Sequence, residues 1–189
     1  MTSMFALRAG GSVYDISNGY DVQSRSVALT QMEAIAVDGD RLYALRAGGS
    51  VYDITNGYDV RDLNIALTQI EGIAAGGGKL YALRAGGSVY DITDGYRVHD
   101  LNIGLTQIVG IAAGGDRLYA LRAGGSVYDI TDGYRVRELS VALTQIEQLG
   151  ANDDRLFALR AGGSVYDITN GYDVQDMRVA LTQIESIAS

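Results

Sequence analysis

Arg46-Ala47-Gly48-Gly49-Ser50-Val51-Tyr52-Asp53-Ile54 decides the fold, because the chain writes it five times. The same nine residues begin at Arg8, Arg84, Arg122 and Arg160, 38 residues apart at every step. Five such units account for nearly all of the 189 residues. Periodicity of this length marks a repeat architecture, and it outranks any local motif. No 38-residue unit can bury a core alone, so the units must stack into one domain spanning residues 1–189.

Reading outward from Arg46 gives four strands per unit. Glu33 to Val37 is short and apolar and is bounded by Asp38-Gly39-Asp40. Arg41 to Arg46 forms the second strand. Gly48-Gly49 then reads as a two-residue hairpin turn, since glycine tolerates the positive φ such a turn requires. Ser50 to Thr55 is rich in β-formers. Asn56-Gly57 is a second turn, and the fourth strand lies within Tyr58 to Leu67. Thr68-Gln69 leads into the next unit. No segment is long enough and free enough of glycine for a helix.

Four antiparallel strands repeated five times point to an all-β, five-bladed β-propeller. A β-solenoid is the rival, but it would need distinct capping ends, which the sequence does not carry. The chain opens on a second-type strand (Met4 to Arg8) and ends on a first-type strand (Glu185 to Ser189). Pairing the last strand with the first would close the ring and remove exposed edges. Gly72, Ala74, Ala75 and Gly76, with Gly110, Ala112, Ala113 and Gly114 one unit later, put small residues on the expected innermost strand. Small side chains there let backbones approach closely.

Composition narrows the function. The net charge is −8, which disfavours nucleic acid and anionic membrane surfaces as partners. There is no Cys, so disulfides and thiolate metal sites are excluded. No apolar run approaches the roughly 20 residues of a membrane span. Met1 to Phe5 lacks the basic and apolar parts of a secretory leader, and the compartment stays open. The single His, His99, cannot build a triad or a histidine metal cluster. Asp53 recurs in every unit, whereas catalytic carboxylates need unlike surroundings. Asp38-Gly39-Asp40 and Asn152-Asp153-Asp154 hint at calcium, but the matching Gly76-Gly77-Gly78 has no carboxylate. No enzyme, cofactor or metal is expected, and the chain is expected to be a monomer.

The candidate ligand-binding residues are the polar and aromatic positions that every unit keeps. They are Arg8, Arg46, Arg84, Arg122 and Arg160; Tyr14, Tyr52, Tyr90, Tyr128 and Tyr166; Tyr20, Tyr58, Tyr96, Tyr134 and Tyr172; and Gln31, Gln69, Gln107, Gln145 and Gln183. Each has a structural alternative. The tyrosines can be core residues with satisfied hydroxyls, and Thr68-Gln69 can be a turn brace. With a two-residue hairpin, Arg46 lies opposite Val51 and shares a face with Asp53. That predicts an ion pair in each blade, or an Arg that presents donors to a ligand. Tyr43, Tyr81 and Tyr119 give way to Phe5 and Phe157, so that ring is core and its hydroxyl dispensable.

The pattern Gln69 to Gly77, followed by Leu80 to Ile92, resembles tectonin-type and tachylectin-type propeller lectins. Those lectins commonly use Trp, which this chain lacks. The resemblance implies carbohydrate binding at several like pockets between blades, with glycans as partners. Five weak contacts would add to strong avidity on a glycan-bearing surface. The alternatives are a designed or recently amplified symmetric scaffold without a ligand, and a protein–protein interaction platform.

Overall fold

The computed structural model describes residues 4–18 and 21–189. Twenty strands form five sheets of four. The first blade holds β1 (Phe5–Arg8), β2 (Ser12–Asn18) and β3 (Asp21–Arg25). The second holds β4 (Met32–Asp38), β5 (Arg41–Arg46), β6 (Ser50–Asp53) and β7 (Arg61–Asp62). The third holds β8 (Ile70–Gly76), β9 (Lys79–Arg84), β10 (Ser88–Asp94) and β11 (Arg97–Asp100). The fourth holds β12 (Ile108–Gly114), β13 (Arg117–Arg122), β14 (Val127–Asp132) and β15 (Arg135–Leu139). The fifth holds β16 (Ile146–Ala151), β17 (Leu156–Arg160), β18 (Ser164–Asn170) and β19 (Asp173–Asp176). The last strand, β20 (Ile184–Ala188), returns to the first blade and pairs antiparallel with β1. Phe5 faces Ala188, Ala6 faces Ile187 and Leu7 faces Ser186.

Closure is visible at the axis. β20 touches β4, β4 touches β8, β8 touches β12, β12 touches β16, and β16 touches β20. Five inner strands therefore meet in one unbroken circle. Five apolar clusters match the five blade–blade interfaces. In each, two neighbouring blades contribute their facing residues, such as Leu45 and Val51 against Ile73 and Leu80. Strand β5 is buried on both faces from Leu42 to Leu45, because each blade is covered on two sides. No helix of the described residues is long and apolar enough to cross a membrane.

The small axial residues separate into two groups. A Cβ on Gly114 would fall inside the backbone of Asn152, and one on Gly76 would lie 2.8 Å from Ala113 C and Gly114 N. Those two glycines are what the close approach of neighbouring blades requires. At Gly72 and Gly110 an added Cβ would meet Leu83 and Leu121 at 3.6 and 3.5 Å, ordinary contact distances. The matching positions hold Ala34, Gln148 and Ser186, so close approach does not explain Gly72 or Gly110. Gln148 Oε1 accepts from Ile187 N at 3.2 Å, and Ser186 Oγ accepts from Ile35 N at 3.4 Å. These two side chains stitch neighbouring blades together.

The outermost strand is shorter than the apolar alternation implies. β7 covers only Arg61–Asp62, and Asn64 then adopts φ +49°. Leu63, Ile65 and Leu67 continue to alternate inward, but they pack on the next blade beside Tyr90 and Val98. The crossover is thus an apolar strap rather than a strand.

Candidate functional site

Each blade presents two polar assemblies at opposite ends of its third strand. At one end sits the glycine hairpin. Its loop has three residues, Ala47-Gly48-Gly49, so Arg46 pairs with Ser50 and Tyr43 with Asp53. Gly48 and Gly49 have φ of 95° and 89°, and Gly49 N donates to Arg46 O at 3.0 Å. The extra residue slips the expected register by one, and a one-residue slip exchanges faces. Arg46 and Asp53 therefore lie on opposite faces of the blade and form no pair, contrary to the two-residue reading.

Arg46 instead donates through Nη2 to Gln31 Oε1 at 3.1 Å. The same bond joins Arg8 to Gln183, Arg84 to Gln69, Arg122 to Gln107 and Arg160 to Gln145, at 3.0 to 3.2 Å. All five glutamines are left-handed, with φ from 59° to 61°. That bend turns the Gln31 carbonyl toward the hairpin, where it accepts from Ala47 N at 2.8 Å. Arg84 and Arg160 also donate through Nε to Thr68 O and Thr144 O at 3.2 Å. Arginine and glutamine thus latch the hairpin to the crossover that enters the blade. The left-handed glutamine had no sequence precedent, because Gln is not a residue that favours that region.

Asp53 has its own partners. Its Oδ1 accepts from Thr55 N at 3.0 Å, and Thr55 Oγ1 accepts from Leu42 N, also at 3.0 Å. The same Thr-to-strand bond recurs at Thr93, Thr131 and Thr169, with Ser17 in the first blade. Arg61 lies 3.9 Å from Asp53, Arg137 lies 3.2 Å from Asp129, and Arg155 pairs with Asp167. Burial pushes the Asp129 and Asp167 carboxyls up, but the threonine bonds and the arginines outweigh it. Both are held below the usual carboxylate value.

The aromatic row beside Asp53 is core. Phe5 and Phe157 are buried, with Arg25 and Arg155 over their rings at 5.2 and 5.0 Å. Burial, with Asp91 and Asp116 nearby, pushes the Tyr81 hydroxyl up to about 12. His99 stands across from Asp91 in the outer strand.

The candidate tyrosines divide. Tyr52 shares the Arg46 face and is half-buried against the crossover beside Val27 and Leu29. Tyr14, Tyr90, Tyr128 and Tyr166 are placed alike. At the far end of the strand, Tyr58, Tyr96, Tyr134 and Tyr172 are 77 to 80% exposed. Tyr20 lies outside the described residues. Tyr96 borders a groove of about 300 Å³ between the second and third blades, and Tyr58 borders one of about 280 Å³ between the first and second. Arg46 and Tyr58 therefore do not converge on one site.

A further cavity of about 400 Å³ opens on the axis among the first-to-second-strand turns. Asp38, Asp40, Asp153 and Asp154 stand on one side of it, and the bare backbone of Gly76, Gly114 and Gly115 on the other. In the sequence, the unlike side chains of the matching turns were the only sign of this opening. No three His, Asp or Glu side chains gather closely enough to hold a metal among the described residues.

No protein-family model matches the sequence, and no curated protein matches it. Solved structures do. PorZ, a surface component of the type-IX secretion system of Porphyromonas gingivalis, is similar over 99% of this chain, at 18% identity and a TM-score of 0.55. This chain spans 27% of PorZ. The Myxococcus xanthus glutaminyl cyclase is similar over 84% of this chain and 70% of its own, at 12% identity and a TM-score of 0.55. Prp20p of Saccharomyces cerevisiae is similar over 96% and 61%, at 15% identity and 0.52. At such identities the likeness extends to the fold alone: this chain is a five-bladed β-propeller.

Proposed function

We propose that the protein is a non-enzymatic, multivalent carbohydrate-binding propeller of the tectonin and tachylectin kind, with its sites in the grooves between blades. The observation that carries this reading is the recurrence of one exposed tyrosine at Tyr58, Tyr96, Tyr134 and Tyr172, with an inter-blade groove beside Tyr58 and beside Tyr96. Large apolar side chains left in water at a concave surface mark binding sites more often than scaffold. A tyrosine ring offers the flat face on which the C–H side of a sugar packs, and groove polar groups then orient its hydroxyls. Absence of catalysis fits the carboxylates, since Asp53, Asp91, Asp129 and Asp167 each accept a threonine N–H and hold turns. A ligand-free symmetric scaffold is the second reading. It is favoured by the arginine–glutamine latch, which explains unit identity without any ligand.

A glycan array followed by calorimetry tests the proposal. The expected result is binding to one sugar class with more than one site per chain, and a lower stoichiometry in Tyr96→Ala. No binding to any sugar class overturns it and leaves the scaffold.

A further inference from the structure

The grooves are not alike. Two turn types divide the ring: Asp94-Gly95-Tyr96-Arg97 and Asp132-Gly133-Tyr134-Arg135, in neighbouring blades, against Asn56-Gly57-Tyr58-Asp59 and Asn170-Gly171-Tyr172-Asp173 on either side. The strap facing each turn comes from the preceding blade, and it changes in step. The first pair faces Asp62-Leu63-Asn64 and Asp100-Leu101-Asn102. The second faces Ser24-Arg25-Ser26 and Glu138-Leu139-Ser140. In these four grooves residues some 30 apart in the chain vary together; the fifth strap, Asp176-Met177-Arg178, has the acid but leads to the turn that starts at Asn18.

The backbone bend follows the strap's aspartate. Asn64, Asn102 and Arg178 are left-handed at φ +49°, and each donates its backbone N–H to Oδ1 of Asp62, Asp100 or Asp176 at 2.8 Å. A Cβ on Gly95 or Gly133 would meet the carbonyl of Leu63 or Leu101 at 3.3 or 3.2 Å, whereas on Gly57 or Gly171 it would meet that of Ser26 or Ser140, one strap position further on, at 2.5 or 2.7 Å. The bends at Asn64 and Asn102 turn their own carbonyls away from the glycine and leave the first pair of grooves wider at the turn. The Tyr96 groove is lined by both Asp62 and Asp94, whereas the Tyr58 groove has Ser24, Arg25, Ser26 and Asn56 in their place. Asp62 spends Oδ1 on Asn64, which fixes the carboxylate and leaves Oδ2 for an outside donor.

An ionised carboxylate only accepts hydrogen bonds, and bonds to it are the stronger kind. We infer that the grooves at Tyr96 and Tyr134 are the working sites. Each takes a neutral sugar whose hydroxyls donate to its two carboxylates, Asp62 with Asp94 or Asp100 with Asp132, while the sugar's apolar face rests on the tyrosine. The Tyr58 and Tyr172 grooves, narrower at the turn and without the acid pair, do not bind it. This rests on the carbohydrate reading and replaces equal sites with two classes.

Tyrosine-ring NMR, assigned with Tyr→Phe variants, tests it by titrating methyl glycosides of mannose, galactose and N-acetylglucosamine, and their per-O-methylated forms. Tyr96 and Tyr134 should shift with a free glycoside, Tyr58 and Tyr172 should not, and the O-methylated form, which lacks donors, should shift none. Asp94→Asn installs the residue already present at 56 and 170, so it should fold; it should weaken binding at Tyr96 about tenfold and leave Tyr134 unchanged. Equal shifts at all four tyrosines, or undiminished binding of the O-methylated form, would overturn the two classes and leave the carbohydrate reading intact. No shift with any glycoside would remove both.

Discussion

Each blade's third strand has an arginine before one end and a tyrosine after the other in every unit, and the two are held in opposite ways. At the glycine end, Arg46 and Gln31 bond to each other, and the Gln31 backbone bonds to the hairpin. At the other end, the Tyr58 ring is 78% exposed. Identity among units therefore has two sources. One is a backbone that needs the same brace five times, and the other is a surface presented at Tyr58, Tyr96, Tyr134 and Tyr172. Sequence repetition alone cannot separate them, and the hydrogen-bond partners do.

The difference predicts a graded response to substitution. Changing all five latch arginines to Lys should be the most damaging. Lysine cannot reach Gln69 Oε1 and Thr68 O together as Arg84 does, and at about 0.5 to 1 kcal/mol per bond the melting temperature should fall by about 10 °C. Retention of full stability would show that the latch is ornamental.

Acid should come next. Asp129 and Asp167 are held below the ordinary carboxylate value, so they stabilise the fold above the unfolded value near 3.9. That contribution is lost as pH falls through their lowered folded values. Asp129→Asn and Asp167→Asn should each cost about 1 kcal/mol at neutral pH, with the exposed arginine partners adding little. Both should flatten the acid limb of a pH–stability curve below about pH 4; an unchanged limb would place the lowered groups elsewhere.

Gln69 gives a finer comparison, because its bend and its bond oppose each other. Gln69→Ala keeps the left-handed bend and loses the Arg84 bond, costing about 1 kcal/mol by chemical denaturation. Gln69→Gly loses the same bond but relieves the bend, so it should stay within about 0.5 kcal/mol of the parent. Smallest of all, Tyr58→Ala and Tyr172→Ala should move stability by less than about 0.5 kcal/mol each. A large loss there would make these tyrosines structural.

Most of the fold was legible in the sequence. The 38-residue spacing, the turn pairs and the strand types at the two ends of the chain specified blades, strand count and closure. The site was less so. One residue of hairpin length, Ala47, moved Asp53 to the other face of its blade and dissolved the expected ion pair with Arg46. Nothing in a glutamine codon announces a left-handed backbone, so the latch was invisible. The short β7 was hidden because Leu63, Ile65 and Leu67 keep a strand's alternation while packing on the neighbouring blade. The exposure of Tyr58 against the partial burial of Tyr52 depends on which blade lies alongside, a tertiary fact that no pattern within one unit carries.

Every groove and every latch exists only because the tail strand completes the first sheet. NMR cross-strand contacts between the backbone of Phe5, Ala6 and Leu7 and that of Ser186, Ile187 and Ala188 read this directly. The account predicts those contacts in the monomer at any protein concentration. Their absence, or their appearance only between different molecules, would contradict it.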